Sequence, residues 1–294
     1  MAAPSRAAIV VWAGRAPAAG LRAVVGVRGE WRSAEGLVMV LPSMRLDGKV
    51  AVVTGAGSGI GAAVAVAMAE AGADCVVTEL PDRLGSLEPV CAQIRACGRR
   101  ALPLPLALPG LDSIAALVGD GVREMGRIDI LINNAGVNIP REALEVTESD
   151  WDRVLDVNLK GLFFMSQRVA REMIKSGGGR IVNIASQNGV VGYYRRAAYC
   201  ASKAGVVNLT RVLALEWAQH QINVNAVGPT FILTPLTQST FDDPTLRADL
   251  LRRIPLGRVG QPEDIVGAVV FLCSPAAALI TGHTLLVDGG WTAI

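Results

Sequence analysis

Residues 49–61 read KVAVVTGAGSGIG. Lys49–Gly55 is a short β-branched run that ends on glycine, which is how a buried strand and its stop are written. Ala, Val and Met then recur at helical spacing over Gly59–Ala71. The glycines therefore lie between a strand and a helix. Gly55, Gly57, Gly59 and Gly61 there let the backbone turn tightly and approach a pyrophosphate. Ser58 and Ile60 complete the turn, and the helix N-terminus offers free N–H groups and a partial positive charge. An ordinary tight turn uses the same residue types, but the strand–turn–helix setting favours a dinucleotide.

The next strand is Asp74–Glu79 (DCVVTE). Glu79 closes it, where a carboxylate accepts both hydroxyls of an adenosine ribose and repels a 2′-phosphate. Leu80 follows in place of an arginine, so NAD is favoured over NADP, although Arg83 is close in sequence. The alternation then repeats. Helices are expected over 84–97, 111–125, 149–176, 198–219 and 262–273, and strands over 101–106, 128–133, 180–185, 222–227 and 284–287. Thr147 and Asp150 are spaced to cap the long helix, and Pro262 stands at the first position of the last. Continuous apolar strands separated by amphipathic helices predict one α/β domain, a doubly wound parallel sheet with helices on both faces. No internal repeat or linker divides it.

The 294 residues are 51% hydrophobic and 18% charged, which excludes a disordered chain and a small disulfide scaffold. Residues 1–44 carry a net +3 and the remaining 250 a net −1, so the body offers nucleic acid no electrostatic attraction. Five cysteines and two histidines form no CxxC or Cys/His cluster. No metal is expected, and reduced thiols point to a cytoplasmic setting. No apolar run is long enough to span a membrane. Residues 1–44 lack lysine and a clear period. They read as an over-extended start (with Met39 or Met44 the natural one), an Arg-rich transit-like peptide, or an arm anchored by Trp12 and Trp31.

Tyr199 and Lys203 stand four residues apart in YCASK, hence on one helix face. A phenol is a poor base at neutral pH, and a neighbouring ammonium favours its ionised form. Such a tyrosine can exchange a proton with an alcohol whose carbon exchanges hydride with nicotinamide. Ser186, 13 residues earlier, is placed to hold the same oxygen. By themselves Tyr-x-x-x-Lys and a serine after a strand are common accidents.

Together, TGAGSGIG (54–61), NNAG (133–136), Asn158 in DVNLKG, Ser186, YCASK (199–203) and ITGHTLLVDGG (280–290) resemble the short-chain dehydrogenase/reductase family over roughly residues 45–294. The resemblance implies a Rossmann-type sheet of order 3-2-1-4-5-6-7 and a homotetramer or homodimer built on two long helices. It implies Tyr199 as acid/base and Lys203 on the nicotinamide ribose, lowering the pKa of Tyr199. Ser186 would orient the substrate and Asn158 hold a relay water. Asn134, Ala135 and Gly136 would line the adenosine side, and Pro229, Ile232 and Thr234 the nicotinamide. Two departures stand out: Thr230 follows Pro229 where the family usually has glycine, and Leu104-Pro105-Leu106 ends the third strand without the usual Asp.

Substrate contacts are expected from Asn138, Gln187, Asn188, Tyr193 and Arg196, with Arg141 and Arg195 nearby. Amides and arginine suit a hydroxyl-rich or carboxylate-bearing ligand, whereas each arginine could equally be a surface residue. The chain resembles sugar-acid and polyol dehydrogenases of the family, and in general body 3-oxoacyl-carrier-protein reductases. A non-catalytic dinucleotide sensor or scaffold is the remaining reading.

Overall fold

In the first strand of the catalytic body, β1 (Val50–Val53), alternate residues face two different cores. Ala51 and Val53 point into one hydrophobic cluster, Val50 and Val52 into the other. The period-2 geometry of a strand makes this unavoidable, and a sheet buried on both faces must be apolar at every position. The computed structural model describes residues 42–293, together with three short antiparallel strands at Val24–Val25, Trp31–Ser33 and Gly36–Leu37. Trp12 lies outside the described residues. The chain divides into Met1–Pro42 and Ser43–Ile294.

Six more strands complete the main sheet: β2 (Asp74–Glu79), β3 (Ala101–Pro105), β4 (Ile130–Asn133), β5 (Gly179–Ile184), β6 (Ile222–Pro229) and β7 (Thr284–Val287). All neighbours are parallel, in the order 3-2-1-4-5-6-7. Helices α1 (Gly59–Glu70), α2 (Glu88–Ala96) and α9 (Glu263–Cys273) pack on the Ala51/Val53 face. Helices α3 (Leu111–Met125), α5 (Leu162–Lys175) and α6 (Ala197–Trp217) pack on the other. The strand order reverses between β1 and β4, so a crevice opens at the carboxyl ends of those strands.

The expected helix over 84–97 is two pieces: a 3₁₀ segment at Pro81–Leu87, then α2. The expected helix over 149–176 is broken as well. Helix α4 (Glu148–Leu155) starts with the Thr147/Asp150 capping box, and a π turn over Asp156–Gly161 then separates it from α5. The wider turn carries Asn158, and Gly161 there lets Leu108 lie against the helix, since a Cβ would stand 3.0 Å from the Leu108 Cβ. Pro262 is the residue before α9 rather than its first. The stretch after β6, without a predicted element, forms α7 (Gln238–Asp242) and α8 (Pro244–Arg253), with the Asp243 carboxylate capping α8.

A buried polar chain sets the register of the layers. Asn133 on β4 donates to Ser166 on α5 (2.8 Å) and to Asn183 on β5 (2.9 Å), and Asn183 donates to Thr210 on α6 (2.9 Å). Buried polar groups keep such partners because losing one leaves the other unsatisfied. The chain holds α6 against β5, and therefore Tyr199 and Lys203 against Ser186.

Candidate active site

The glycine-rich turn is a cradle with no room for side chains. A Cβ on Gly61 would collide with the Gly55 carbonyl and the Asn134 amide, and one on Gly57 with Ser86 and the Glu79 carboxylate. Gly55 and Gly59 also have φ of +64° and +56°, a region that favours glycine. The turn is held from across the sheet. Asn134 Nδ2 donates to the carbonyls of Thr54 and Gly55, both at 2.9 Å. Thr54 Oγ1 in return accepts from the N–H groups of Asn134 and Ala135, at 2.9 and 3.0 Å. Asn134 thus braces the loop with its side chain. Thr54 lay within the quoted motif, but only the structure shows it as the second half of this clamp.

A single cleft of about 720 Å³ runs from this turn across the carboxyl edge of the sheet. Gly55, Ser58, Gly59, Ile60, Glu79 and Leu80 line one end, with Arg83 beside them. Asn134, Ala135 and Gly136 line the middle, and Ser186, Tyr199, Lys203, Pro229, Ile232 and Thr234 the far end. Gly61 lies beneath the turn. The wall past β3 is Leu106, Leu108 and Pro109, apolar throughout, so the missing Asp is not replaced there. These residues fit an extended dinucleotide: a bare backbone cradle at a helix start, a carboxylate at the end of β2, and one continuous trough.

At the far end Ser186 and Tyr199 line the cleft together. Burial raises the phenol above its ordinary pKa, while the Ser186 hydroxyl and the Arg196 guanidinium pull it back. Lys203 follows on the same face of α6. Its Nζ is buried, donates to the Ile184 carbonyl at 2.7 Å, and lies 5.7 Å from the centre of the Tyr199 ring. Burial depresses its pKa to about 8. Ser186 and Arg196 thus act on the phenol in the direction expected of Lys203.

Asn158 sits behind this group, 1% exposed. Its Oδ1 accepts from Val137 N–H (2.8 Å), and its Nδ2 donates to Val137 O (2.9 Å) and Ser202 Oγ (3.1 Å). Ser202 donates onward to the Tyr199 carbonyl at 2.8 Å. Asn158 is therefore tied to the loop that follows β4, at Val137, and to the turn of α6 that carries Tyr199.

A family model described as enoyl-(acyl carrier protein) reductase matches residues 55–292. A 2-dehydro-3-deoxy-D-gluconate 5-dehydrogenase of Escherichia coli is 46% identical over 87% of this chain and all of its own length. An NAD-dependent glycerol dehydrogenase of Listeria innocua is 44% identical, over 83% of this chain and 94% of its own. The crystal structure of a gluconate 5-dehydrogenase from Burkholderia cenocepacia, in complex with NADP and tartrate, superposes with a TM-score of 0.83 at 34% identity, covering 87% of this chain and all of that one.

The chain is a short-chain dehydrogenase/reductase.

As a member of that family it is an oxidoreductase acting on CH–OH groups. The dehydrogenase's expected substrate residues do not line the cleft. Gln187 and Asn188 are buried in a short turn capped by Ser186 Oγ, which accepts from Asn188 N–H at 3.1 Å. Tyr193 packs edge-on against Phe231 and Trp291 and hydrogen-bonds Asp249 at 3.3 Å. Arg196 is buried beside Phe231, and Asn138 Oδ1 is buried without a partner. Among the described residues no group of His, Cys, Asp and Glu could hold a metal, and no helix is long and apolar enough to cross a membrane. Cys75, Cys91, Cys97, Cys200 and Cys273 are free thiols.

Proposed function

We propose that the enzyme transfers hydride between NAD(H) and a secondary alcohol or ketone of a polyol, sugar or sugar acid. The observation that carries this reading is the continuity of one cleft from the glycine cradle and Glu79 to Ser186, Tyr199 and Lys203. The bound nicotinamide supplies the hydride acceptor or donor. Ser186 Oγ and the Tyr199 phenol hold the substrate oxygen between them, and the phenol takes its proton in oxidation and returns it in reduction. Lys203, its ammonium facing the cleft beside Tyr199, holds the nicotinamide ribose. Asn158 acts through Ser202 and Val137, fixing where Tyr199 stands.

Glu79 supports NAD. Its Oε1 accepts the Leu80 N–H at 3.0 Å, and its Oε2 lies over Gly57. The fixed carboxylate faces the place where a 2′-phosphate would bring two more negative charges, and it likewise argues against an NADP-linked 3-oxoacyl reductase. The Burkholderia relative was solved with NADP, so the choice is tested directly. A screen of NAD and NADP reduction over polyols, aldonic acids, simple secondary alcohols and hydroxyacyl thioesters should give turnover with NAD on the first two classes. Glu79→Ala should narrow the preference, and Leu80→Arg added to it should reverse it. Equal use of NADP by the unaltered protein refutes the reading of Glu79.

The same reading includes a homotetramer or homodimer through α5 and α6. Its support is the exposed Val212 and Leu215 on α6 and the apolar groove formed by Leu159, Phe163, Leu209 and Val212. The free thiols suit a cytoplasmic enzyme.

A further inference from the structure

The end of the cleft beyond Glu79 is walled by apolar side chains. Leu106 N–H donates to the Glu79 carbonyl at 2.8 Å, so the wall of Leu106, Leu108 and Pro109 starts beside the end of β2. Leu108 then meets the π turn at Gly161. Val157 of that turn and Arg153, one turn earlier on α4, line the same cleft. Two carboxylates are near, and both are committed. Glu79 Oε1 accepts the Leu80 N–H at 3.0 Å, and on the reading above this carboxylate takes the ribose hydroxyls. Asp156 pairs with Lys160 at 3.1 Å and also lines the groove between α5 and α6.

Arg153 is the opposite case. It is exposed and lines the cleft, and among the described residues no side chain pairs with it, whereas Arg141 holds Asp150 and Arg127 holds Asp129. Four residues separate it from Val157, which places both on one helix face. Arg83 is likewise exposed and lines the cleft, but it stands on the 3₁₀ segment that follows Glu79, on the ribose side. A base whose ribose is held at Glu79 therefore has apolar walls for its ring and one uncommitted polar group at its edge, a guanidinium.

Resting on the reading of Glu79 above, we propose that Arg153 is the base-specificity residue of the dinucleotide site, and that the site ranks a 6-oxopurine dinucleotide above its adenine counterpart. A guanidinium is a fork of N–H donors with no acceptor. The adenine edge offers it N7 but sets the 6-amino donor beside that nitrogen, donor against donor. A 6-oxopurine offers O6 and N7 together, the pair that arginine takes bidentately from guanine. NAD remains the dinucleotide of the reaction; the order of the two bases is the signature of a donor where a carboxylate would select the amine.

The test is fluorescence titration of the full chain with NADH and with reduced nicotinamide hypoxanthine dinucleotide. Both carry the same dihydronicotinamide, so one signal reads both, and neither substrate nor turnover enters. The hypoxanthine form should bind about 5-fold more tightly, the lower end for a bidentate purine contact, because Arg153 is exposed. Arg153→Ala should remove the preference. Arg153→Glu should invert it, since a carboxylate accepts from the 6-amino group. Arg83→Ala and Asp156→Asn should leave the preference of the unaltered protein in place. The proposal is overturned if NADH binds as tightly as the hypoxanthine form, if Arg153→Ala keeps the preference, or if Arg83→Ala or Asp156→Asn removes it. Failure of the underlying reading looks different: neither dinucleotide gives a signal, or NADPH binds as tightly as NADH, and the place assigned to the base falls with it.

Discussion

Replacing Lys203 with methionine tests the electrostatics of the site through stability rather than turnover. The ammonium is buried against the Ile184 carbonyl, and burial lowers its pKa from 10.5 to about 8. In the unfolded chain it keeps the ordinary value. Between pH 8 and 10.5 the unfolded chain therefore holds a proton that the native protein has released, and native stability rises with pH across that window. Each pH unit is worth at most about 1.4 kcal/mol, so the whole window contributes on the order of 3 kcal/mol. Below pH 8 both states are protonated and the full cost of the buried charge is present. Methionine has similar length and no charge, and removes the effect. Melting temperatures of the two proteins, measured at one protein concentration from pH 7 to 10.5, should converge or cross. The unaltered protein should gain about 5 °C or more on the variant, given roughly 2–4 °C per kcal/mol for a domain of this size. Titration of other groups cancels in the difference. Parallel curves would show that Lys203 keeps its proton to its ordinary pKa, and the account of the site would be wrong.

Tyr199→Phe should lower kcat by about 10²–10⁴-fold while NADH binding, followed by fluorescence, is retained; more than about a tenth of the rate remaining removes the phenol from proton transfer. Gly61→Ala should weaken NADH binding by roughly 10- to 100-fold, the equivalent of 1–3 kcal/mol of overpacking against the Gly55 carbonyl and Asn134, and unchanged affinity would show that the cradle is not where the dinucleotide lies. A chain beginning at Met44 should keep cofactor affinity and kcat, because the first strand of the body begins at Val50. A large fall in melting temperature or loss of the oligomer on that truncation would establish residues 1–44 as a packed arm.

The strands could be read from the sequence because a doubly covered sheet leaves little choice: VAVV is apolar throughout, ILIN at all but its last position, and DCVVTE through its centre; their order came from the family resemblance. The glycines of the cradle were equally legible, since a strand–turn–helix junction gives them a purpose. What the sequence did not reveal depends on contacts between distant segments. Periodicity cannot distinguish an α-helical turn from the π turn at Asp156–Gly161, because the hydrophobic face continues through it into α5. Helices α7 and α8 lie in a stretch with weak periodicity and are set by a cap at Asp243 and by packing of Phe241, Leu250 and Ile254 against Trp291. Asn138, Gln187, Asn188, Tyr193 and Arg196 follow the right strands and are polar. Residue type could not show that none of them lines the cleft and that Gln187, Asn188 and Arg196 are buried, nor that Arg141 and Arg195 find acidic partners while Arg196 does not.

The clamp on the glycine turn has a consequence for synthesis. Thr54 and Gly55 leave the ribosome early, but Asn134, which closes over them, is 80 and 79 positions later in the chain. At roughly 5–20 residues per second the interval is about 4–16 s. Thr234, against which Gly59 rests, arrives later still. A nascent chain that has just completed β1 and α1 carries the whole glycine motif without the parts that hold it in shape. Cofactor therefore cannot chaperone the first half of the protein as it emerges. Fragments ending before residue 134 should not be retained on an immobilised dinucleotide, and fragments that reach past residue 234 should be.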